Sequence, residues 1–574
     1  MNQHFLLELI KKRETFDKAY VYAIYYRIKE DSYCNFIEID YYRQDKEKLF
    51  EEIKSIFENP NVYEPETAFS FYLPKSEMFF RRMIHTPFKD LVIKFIIVII
   101  LADLLDFTLV KNCFSHRLER NRDKDKKSKE GLYRYYFYGF EEFTDWQTKQ
   151  VDHSFCLLKT DISSFYDSIS HEYLVSAISK QLSIPKESQF ILIFAKTLKF
   201  KVCYYSFVDG KLNETYNSQG IPIGNEAEGF IANLFLKEVD EALFNQKINF
   251  GRYVDDFRIF TKSKSDAIKG LIILQEFLLK IGVNLNASKT KIIEAQEKII
   301  EFIKESKKGG TSTIPFIEEE DSDPQQEKII DKSVLIREIN SSTEYEQELP
   351  DKSISVSDKD IFVSLEEIDS EEKAKKFGEF LHKIPLGKKI DPKLFIYHIE
   401  WLYQLSKKYT KHSKLYAWLF VRFVSLENND DIQKISLKYL FKVLDDTEIH
   451  TFIKTRIIHN LIKPRKGALT YIQRMSTRQK LKERLLLCIT ELIRSNCIAL
   501  QLNCIYAYYL ILQDYHLLQD LISINLNRPI PEPIQNAVYQ IGTLYYKGSP
   551  KLPSFEEILE ESEVTIESES FLFQ

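Results

Sequence analysis

The chain has 574 residues, 44% hydrophobic and 14% aromatic, with a formal net charge of −5. That composition supplies a large core and excludes both bulk disorder and a wholesale basic coat for nucleic acid. Gly is scarce at 16 residues and Lys is abundant, which favours helices over a loop-rich β architecture. Seven Cys, at positions 34, 113, 156, 203, 488, 497 and 504, form no C-x-x-C pair and no Cys/His cluster at zinc spacing. Reduced thiols in a cytoplasmic protein are the expectation. The most apolar run, FIIVIILA (95–102), is eight residues long, against the roughly 20 that span a bilayer. The first residues, MNQHFLLELIKKRE, lack the pattern of a cleaved leader, so a soluble chain without a membrane partner is expected.

Residues 1–310 alternate β-rich segments, YVYAIYYRI (20–28), SFCLLKTDI (154–162) and NFGRYVDDFRIFT (249–261), with helical ones at 89–106 and 266–281. The alternation predicts a mixed α/β-type domain over 1–300. Residues 311–370 carry seventeen acidic and five basic side chains with little apolar periodicity. Either a solvated linker or insertion over 301–370 or a folded acidic lid is consistent with that pattern. From 371 to 574, apolar residues recur at spacings of three and four, as in FIYHIEWLYQL (395–405), LKYLFKVL (437–444) and CIYAYYLILQ (504–513). About ten helices paired as hairpins are expected there, an irregular HEAT-like array with no fixed repeat length.

Three carboxylates stand out. In LLKTDISSFYDSIS (157–170) an apolar run ends at Asp161, which reads either as a site residue at the end of a strand or as a helix cap. In NFGRYVDDFRIFT, Asp255 and Asp256 sit side by side in an apolar, aromatic stretch. Adjacent like charges there are costly unless a turn exposes them or a cation neutralises them. A hairpin with the pair at its tip answers the first need and a metal ion the second. Three carboxylates from two strands are hard oxygen donors suited to two Mg²⁺ ions, with Mn²⁺ able to substitute, and such a pair of ions supports nucleotidyl transfer.

In chain order these segments resemble the motifs of reverse transcriptases. FFRRMIHTPFKDLVIK (79–94) and NCFSHRLER (112–120) are similar to the two fingers motifs, LKTDISSFYD to the first palm motif and YVDD to the catalytic hairpin. SQGIPIGNEAEGFIANLF (218–235) resembles the Gln-Gly-x-Pro motif with its helix, and GVNLNASKTKI (282–292) the motif ending in Asn-x-x-Lys-Thr. The likeness covers roughly residues 70–300. It implies an α+β chain, a right-hand polymerase fingers-palm domain followed by the helical array. It also implies metal ligation by Asp161, Asp255 and Asp256, and dNTPs as substrates. Tyr166, five residues past Asp161, would exclude a ribose 2′-hydroxyl, its alternative being a core aromatic. Gln219 and Gly220 would line the nucleotide pocket. Arg82 and Arg117 would clamp the triphosphate and Lys289 protonate the leaving pyrophosphate, the alternative for each being a solvated basic residue.

Several features depart from mobile-element relatives. Asn225 and Glu226 stand where many carry a Ser-Pro pair, no primer-grip segment follows residue 292, and no endonuclease, zinc-finger or RNase H signature is present. With the long helical region, these departures resemble the bacterial defence-associated enzymes of the abortive-infection group and its neighbours. That resemblance implies synthesis that is RNA-directed or template-independent, protein priming in some members, a non-coding RNA partner in others, and homo-oligomers such as trimers or hexamers. The basic run KPRKGALTYIQRMSTRQKLKER (463–484) reads either as a groove for nascent DNA or RNA or as a solvated helix face. Two rival readings stay open: a retron-, diversity-generating- or intron-type enzyme copying a cognate RNA, and a non-catalytic RNA-binding scaffold.

Overall fold

The structure is a computed structural model that describes residues 3–29, 33–76, 79–118, 131–312, 368–382, 392–424, 430–463, 469–526 and 529–548. Its elements form two compact units. The first comprises Met1–Phe71, Arg82–Pro315 and Ile462–Gln574, the second Tyr72–Arg81 and Phe316–Leu461.

In the first unit, four helices, α1 (Gln3–Lys11), α2 (Arg13–Lys29), α3 (Phe36–Gln44) and α4 (Lys46–Glu58), precede helix α5 (Phe88–Leu105), with strands β1 (Ala68–Ser76) and β2 (Phe79–His85) between them, whose Tyr72–Arg81 stretch is assigned to the second unit. The run YVYAIYYRI, with its β-branched and aromatic residues, predicts a strand, but it forms part of α2. Its rings pack around the helix instead of alternating across a sheet: Tyr22 and Tyr26 meet Phe95 of α5 and Tyr20 meets Phe88. Tertiary packing here overrides β propensity. Helix α5 is apolar on every side and lies buried along nearly its whole length, as an all-round hydrophobic helix must in a globular core. Among the described residues no helix is long and apolar enough to cross a membrane.

The chain continues through α6 (Tyr136–Val151), β3 (Cys156–Asp161), the short α7 (Phe165–Ser168), α8 (His171–Leu182), α9 (Gln189–Leu198), β4 (Lys201–Tyr205), β5 (Leu212–Tyr216) and α10 (Ala227–Asn245). Then come β6 (Phe250–Tyr253), β7 (Asp256–Thr261), α11 (Lys264–Lys280), β8 (Lys291–Glu294) and α12 (Gln296–Ser312). Two four-stranded sheets result, ordered β2-β1-β4-β5 and β6-β7-β3-β8. In the second sheet, β3 is central and antiparallel to both β7 and β8, with Leu157 opposite Phe260. Leu157 and Phe260 join Val151, Ile299 and Ile303 in one core cluster, so α6 and α12 cover that face. Ile259, on the other face, lies under Gly270 of α11.

The second unit contains α13 (Glu371–His382), α14 (Pro392–Lys408), α15 (Ser413–Val424), α16 (Asp430–Asp445) and α17 (Thr451–Ile462), the last reaching one residue past its boundary. Glu400 of α14 accepts from Tyr439 of α16 at 2.7 Å, and Lys442 lies 3.9 Å from the centre of the Tyr403 ring. Within the same unit, Phe80 of β2 stacks on His450 with ring centres 4.8 Å apart.

The last helices, α18 (Tyr471–Ser476), α19 (Gln479–Leu492), α20 (Ile498–Leu512), α21 (Tyr515–Asn525) and α22 (Glu532–Tyr546), belong to the first unit. The array expected over 371–574 is therefore divided. Helices α20 and α22 find their partners on the N-terminal part of the chain. Tyr506 donates to the buried Asp40 of α3, Glu532 accepts from Thr67, and Tyr539 packs on Tyr41. The expected boundary at residue 300 falls inside α12, whose Ile299 and Ile303 pack against the second sheet. Most of the acidic segment assigned to 301–370 lies outside the described residues.

Burial, opposed by the Tyr506 hydroxyl and Arg43, pushes the Asp40 carboxyl up to about 7. A raised carboxyl contributes stability that is complete below its unfolded value near pH 4 and lost as pH rises through about 7. Asp40→Asn keeps a neutral acceptor for Tyr506 and escapes that loss. Its melting temperature relative to wild type should therefore rise by a few degrees between about pH 5 and about pH 8. Thermal scans across that range check this, and a constant difference would contradict it.

Candidate active site

The carboxylates converge because of strand register. Asp161, the last residue of β3, lies directly opposite Asp256, the first of β7. Tyr253 pairs with Asp256, so Val254 and Asp255 form a two-residue turn. Val254 adopts φ 57°, a left-handed conformation that β-branched residues rarely take and that costs roughly 1–3 kcal/mol unless neighbours enforce it. Its N–H donates to the Ser115 hydroxyl at 2.8 Å and its carbonyl accepts from Arg252 at 3.0 Å. The Asp255 carbonyl in turn accepts from the Ile162 N–H at 3.3 Å, tying the turn to the end of β3.

The three carboxylates have different surroundings. Asp161 accepts from the Lys289 ammonium at 2.6 Å. The Arg258 guanidinium forks onto both oxygens of Asp256, one contact measuring 2.7 Å, and its carbon lies 5.7 and 5.4 Å from the Phe143 and Phe302 ring centres. Burial, and then the negative charge of Asp161, push the Asp255 carboxyl up to about 6. Partly buried, beside the charges of Asp161 and Asp256 and only partly offset by its backbone hydrogen bond and Lys289, Asp255 is the group a divalent cation would relieve most.

No three His, Cys, Asp or Glu side chains among the described residues stand together as a complete metal cage. Mg²⁺ does not require one: at phosphoryl-transfer sites it takes one or two carboxylates and completes its shell with water and substrate phosphates. Asp161 and Asp255 are hard oxygen donors of that kind, so the residues present fit Mg²⁺ or Mn²⁺. When bound, the ions would activate a hydroxyl and offset charge on a leaving pyrophosphate. Asp256, expected as a third ligand, is committed to Arg258 in this structure.

The remaining expected residues divide into two groups. Ser164 turns the chain with φ 46°, placing Phe165 in the core and leaving Tyr166 half-buried beside it. Gly220 has φ 80°, and a Cβ there would come within 2.9 Å of backbone atoms of Tyr166 and Asp167. Its carbonyl accepts from His171 at 2.6 Å and Asn217 at 3.0 Å, while the Ile221 N–H donates to the Tyr166 carbonyl at 2.9 Å. Gln219 donates to the Ser168 carbonyl at 3.1 Å. Gly220 and Gln219 thus buttress the Tyr166 segment, which follows directly from Asp161.

Arg82 is elsewhere, exposed on β2 in the other sheet, with its guanidinium carbon 5.6 Å from the Tyr204 ring centre. Arg117, expected as a phosphate clamp, has a different task. Its nitrogens donate to the Asp106 carboxylate and to the carbonyls of Asp106, Val110 and Cys113. That geometry fixes the loop before it and leaves the fork poorly disposed for a triphosphate.

Ser115, Asn233, Asp240, Arg252 and Arg258 were missed by sequence reasoning. For Arg252 and Arg258 a signal existed, since each is a charge inside an otherwise apolar strand; for Ser115 there was none.

Residues 105–311 match the family described as "Reverse transcriptase (RNA-dependent DNA polymerase)". This stretch is similar to reverse-transcriptase domains, a class that acts generally as RNA-directed DNA polymerases and generally uses divalent metal ions. No curated protein matches the chain in sequence. Among solved structures, apo telomerase from Candida tropicalis, truncated from its C-terminal domain, is 14% identical over 41% of this chain and 51% of its own, at a TM-score of 0.29. Telomerase from Candida albicans, in complex with a TWJ fragment of telomeric RNA, is 13% identical over 70% of this chain and 62% of its own, at a TM-score of 0.31. The chain thus spans less than two thirds of either structure, and a likeness this low carries no weight for fold or function.

Gly220→Ala should destabilise the protein by about 1–3 kcal/mol through its positive φ and the backbone contact. Among molecules that remain folded, it should weaken nucleotide binding by displacing Tyr166. Thermal melting paired with dNTP titration reads both effects; wild-type values in each would remove Gly220 as a buttress.

Proposed function

We propose that this chain is a DNA polymerase of reverse-transcriptase type, RNA-directed or template-independent, that acts in bacterial antiphage defence. The observation that carries the polymerase reading is the register that sets Asp161 opposite Asp256 and turns Asp255 in beside it. In this reading Asp161 and Asp255 hold the divalent ions, and Asp256 supports them from its pairing with Arg258. Lys289 is half-exposed, so its ammonium can exchange Asp161 for a phosphate oxygen and deliver a proton to pyrophosphate. Tyr166, held by the Gly220 loop, discriminates against the ribose 2′-hydroxyl. Arg82 remains a candidate for the triphosphate on the fingers sheet.

The defence role rests on the resemblance of the motif set and its departures, together with the helical region beyond residue 371. A self-primed reaction, a partner RNA and a homo-oligomer come with it. The exposed Arg474, Arg478 and Lys480 lie in the same unit as the palm and support a product-holding surface there. A retron-like enzyme copying a cognate RNA is the runner-up. Retention of Asp161, Asp255, Tyr166 and Gln219 argues against a purely structural scaffold.

Purified protein should incorporate labelled dNTPs in Mg²⁺, and Asp255→Ala should lower the rate at least about 100-fold without changing the melting temperature by more than a few degrees. Residual activity near wild type would sink the metal assignment. Label that stays with the protein until proteolysis, with neither primer nor template added, would indicate self-priming; activity only on a primed RNA would favour the runner-up. Tyr166→Ala should gain use of NTPs, and unchanged discrimination would return Tyr166 to the status of a core aromatic.

A further inference from the structure

The strained turn is enforced by a buried relay that spans three elements. The Asp240 carboxylate on α10 accepts from Arg252 Nε at 2.8 Å and from its Nη2 at 2.7 Å, and neither side chain is exposed to solvent at all. Arg252 Nη1 donates at once to Asn233 Oδ1 at 2.8 Å and to the Val254 carbonyl. Asn233, two helical turns before Asp240 on α10, donates through its amide to the Ser115 carbonyl at 2.7 Å. The Ser115 hydroxyl then receives the Val254 N–H. Backbone bonds close the frame: the Arg252 N–H donates to the Asn112 carbonyl at 2.9 Å and the Phe114 N–H to the Arg252 carbonyl at 3.1 Å. Arg117 in turn staples the 106–113 segment that leads into this frame.

We propose that Ser115 and Arg252 are positioning residues: they grip the two peptide groups that flank the Val254 Cα, enforcing the left-handed turn that aims the Asp255 carboxylate at Asp161. Asn233 and Asp240 anchor that grip to α10, the helix following the Gln219–Gly220 loop, so nucleotide pocket and carboxylate turn share one rigid support. The inference rests on the polymerase reading for its catalytic meaning. Its structural content, a restrained Val254 peptide that preorganises Asp255 for a cation, stands apart from turnover. The Ser115 hydroxyl accepts from the Val254 N–H and so acts through Val254.

Ser115→Ala isolates the grip, because it removes one hydroxyl and leaves the Arg252–Asp240 pair intact. Three readouts are expected to move together. Mn²⁺ affinity, followed by electron paramagnetic resonance, should fall about 3- to 10-fold, as for loss of one hydrogen bond. The rate at saturating dNTP should fall by a similar factor with KM unchanged. Hydrogen–deuterium exchange in the peptide covering residues 250–257 should accelerate while the rest of β3 and β7 does not. Adding Val254→Gly, which adopts positive φ without restraint, should recover much of the lost Mn²⁺ affinity.

Wild-type Mn²⁺ affinity and exchange in Ser115→Ala would overturn the proposal. So would acceleration of exchange throughout the palm, which would mark Ser115 as merely stabilising. Arg252→Lys, which keeps the charge opposite Asp240 but gives up the fork, gives an independent check and should show the same triad of changes. If the wild type incorporates no nucleotide yet binds Mn²⁺, the polymerase reading fails and the Mn²⁺ and exchange results alone decide the positioning claim. If the wild type binds no Mn²⁺, both fail.

Discussion

The buried ion pair between Arg252 and Asp240 is the interaction on which the palm depends. Burying two charges carries a desolvation cost that only good geometry repays, and removing one partner of such a pair typically costs about 3–5 kcal/mol. Here the geometry uses the whole guanidinium, with Asp240 on one edge and Asn233 and the Val254 carbonyl on the other. Strand β6 is only four residues long, and its Arg252 reaches helix α10 and, through its backbone, the 112–114 segment. Fixing Arg252 therefore fixes the β6–β7 hairpin, and with it the turn that carries Asp255.

Along one face of β3 and β7 the side chains change from apolar to charged in register. Leu157 and Phe260 lie in the core beneath α6 and α12; Lys159 and Arg258 come next, beside Phe302; Asp161 and Asp256 stand at the end. Phe143 of α6 and Phe302 of α12 thus flank Arg258, the guanidinium that pairs with Asp256. Lys289 answers Asp161 and Arg258 answers Asp256, while at Asp255 burial and the charges of Asp161 and Asp256 outweigh its backbone hydrogen bond and Lys289, hence its raised carboxyl. That asymmetry is what the proposed metal site at Asp161 and Asp255 rests on, with Asp256 paired to the Arg258 guanidinium.

Much of the palm was legible because it is local. An apolar run ending at Asp161, a paired Asp flanked by strand-forming residues, and the all-round apolar FIIVIILA run each specify an element from a few neighbours. What escaped depends on distance along the chain. The 20–28 run forms a helix because α5, some seventy residues later, offers a packed surface for its rings. The helical array divides because Asp40 and Thr67 meet Tyr506 and Glu532 across more than four hundred residues. Arg117 carried a motif's basic position, but Asp106, eleven residues away, decides where its fork points. The relay through Ser115 and Asn233 left no trace in periodicity, since small polar residues are uninformative until their partners are in place.

The most direct test of the carboxylate assignment is a crystal structure of the wild-type protein soaked in Mn²⁺, with the ion located by its anomalous scattering. A peak within coordination distance of both Asp161 and Asp255, with Asp256 still paired to Arg258, is expected. A peak held by Asp256 with Arg258 displaced, or none near Asp255, would contradict the assignment of the metal to Asp161 and Asp255.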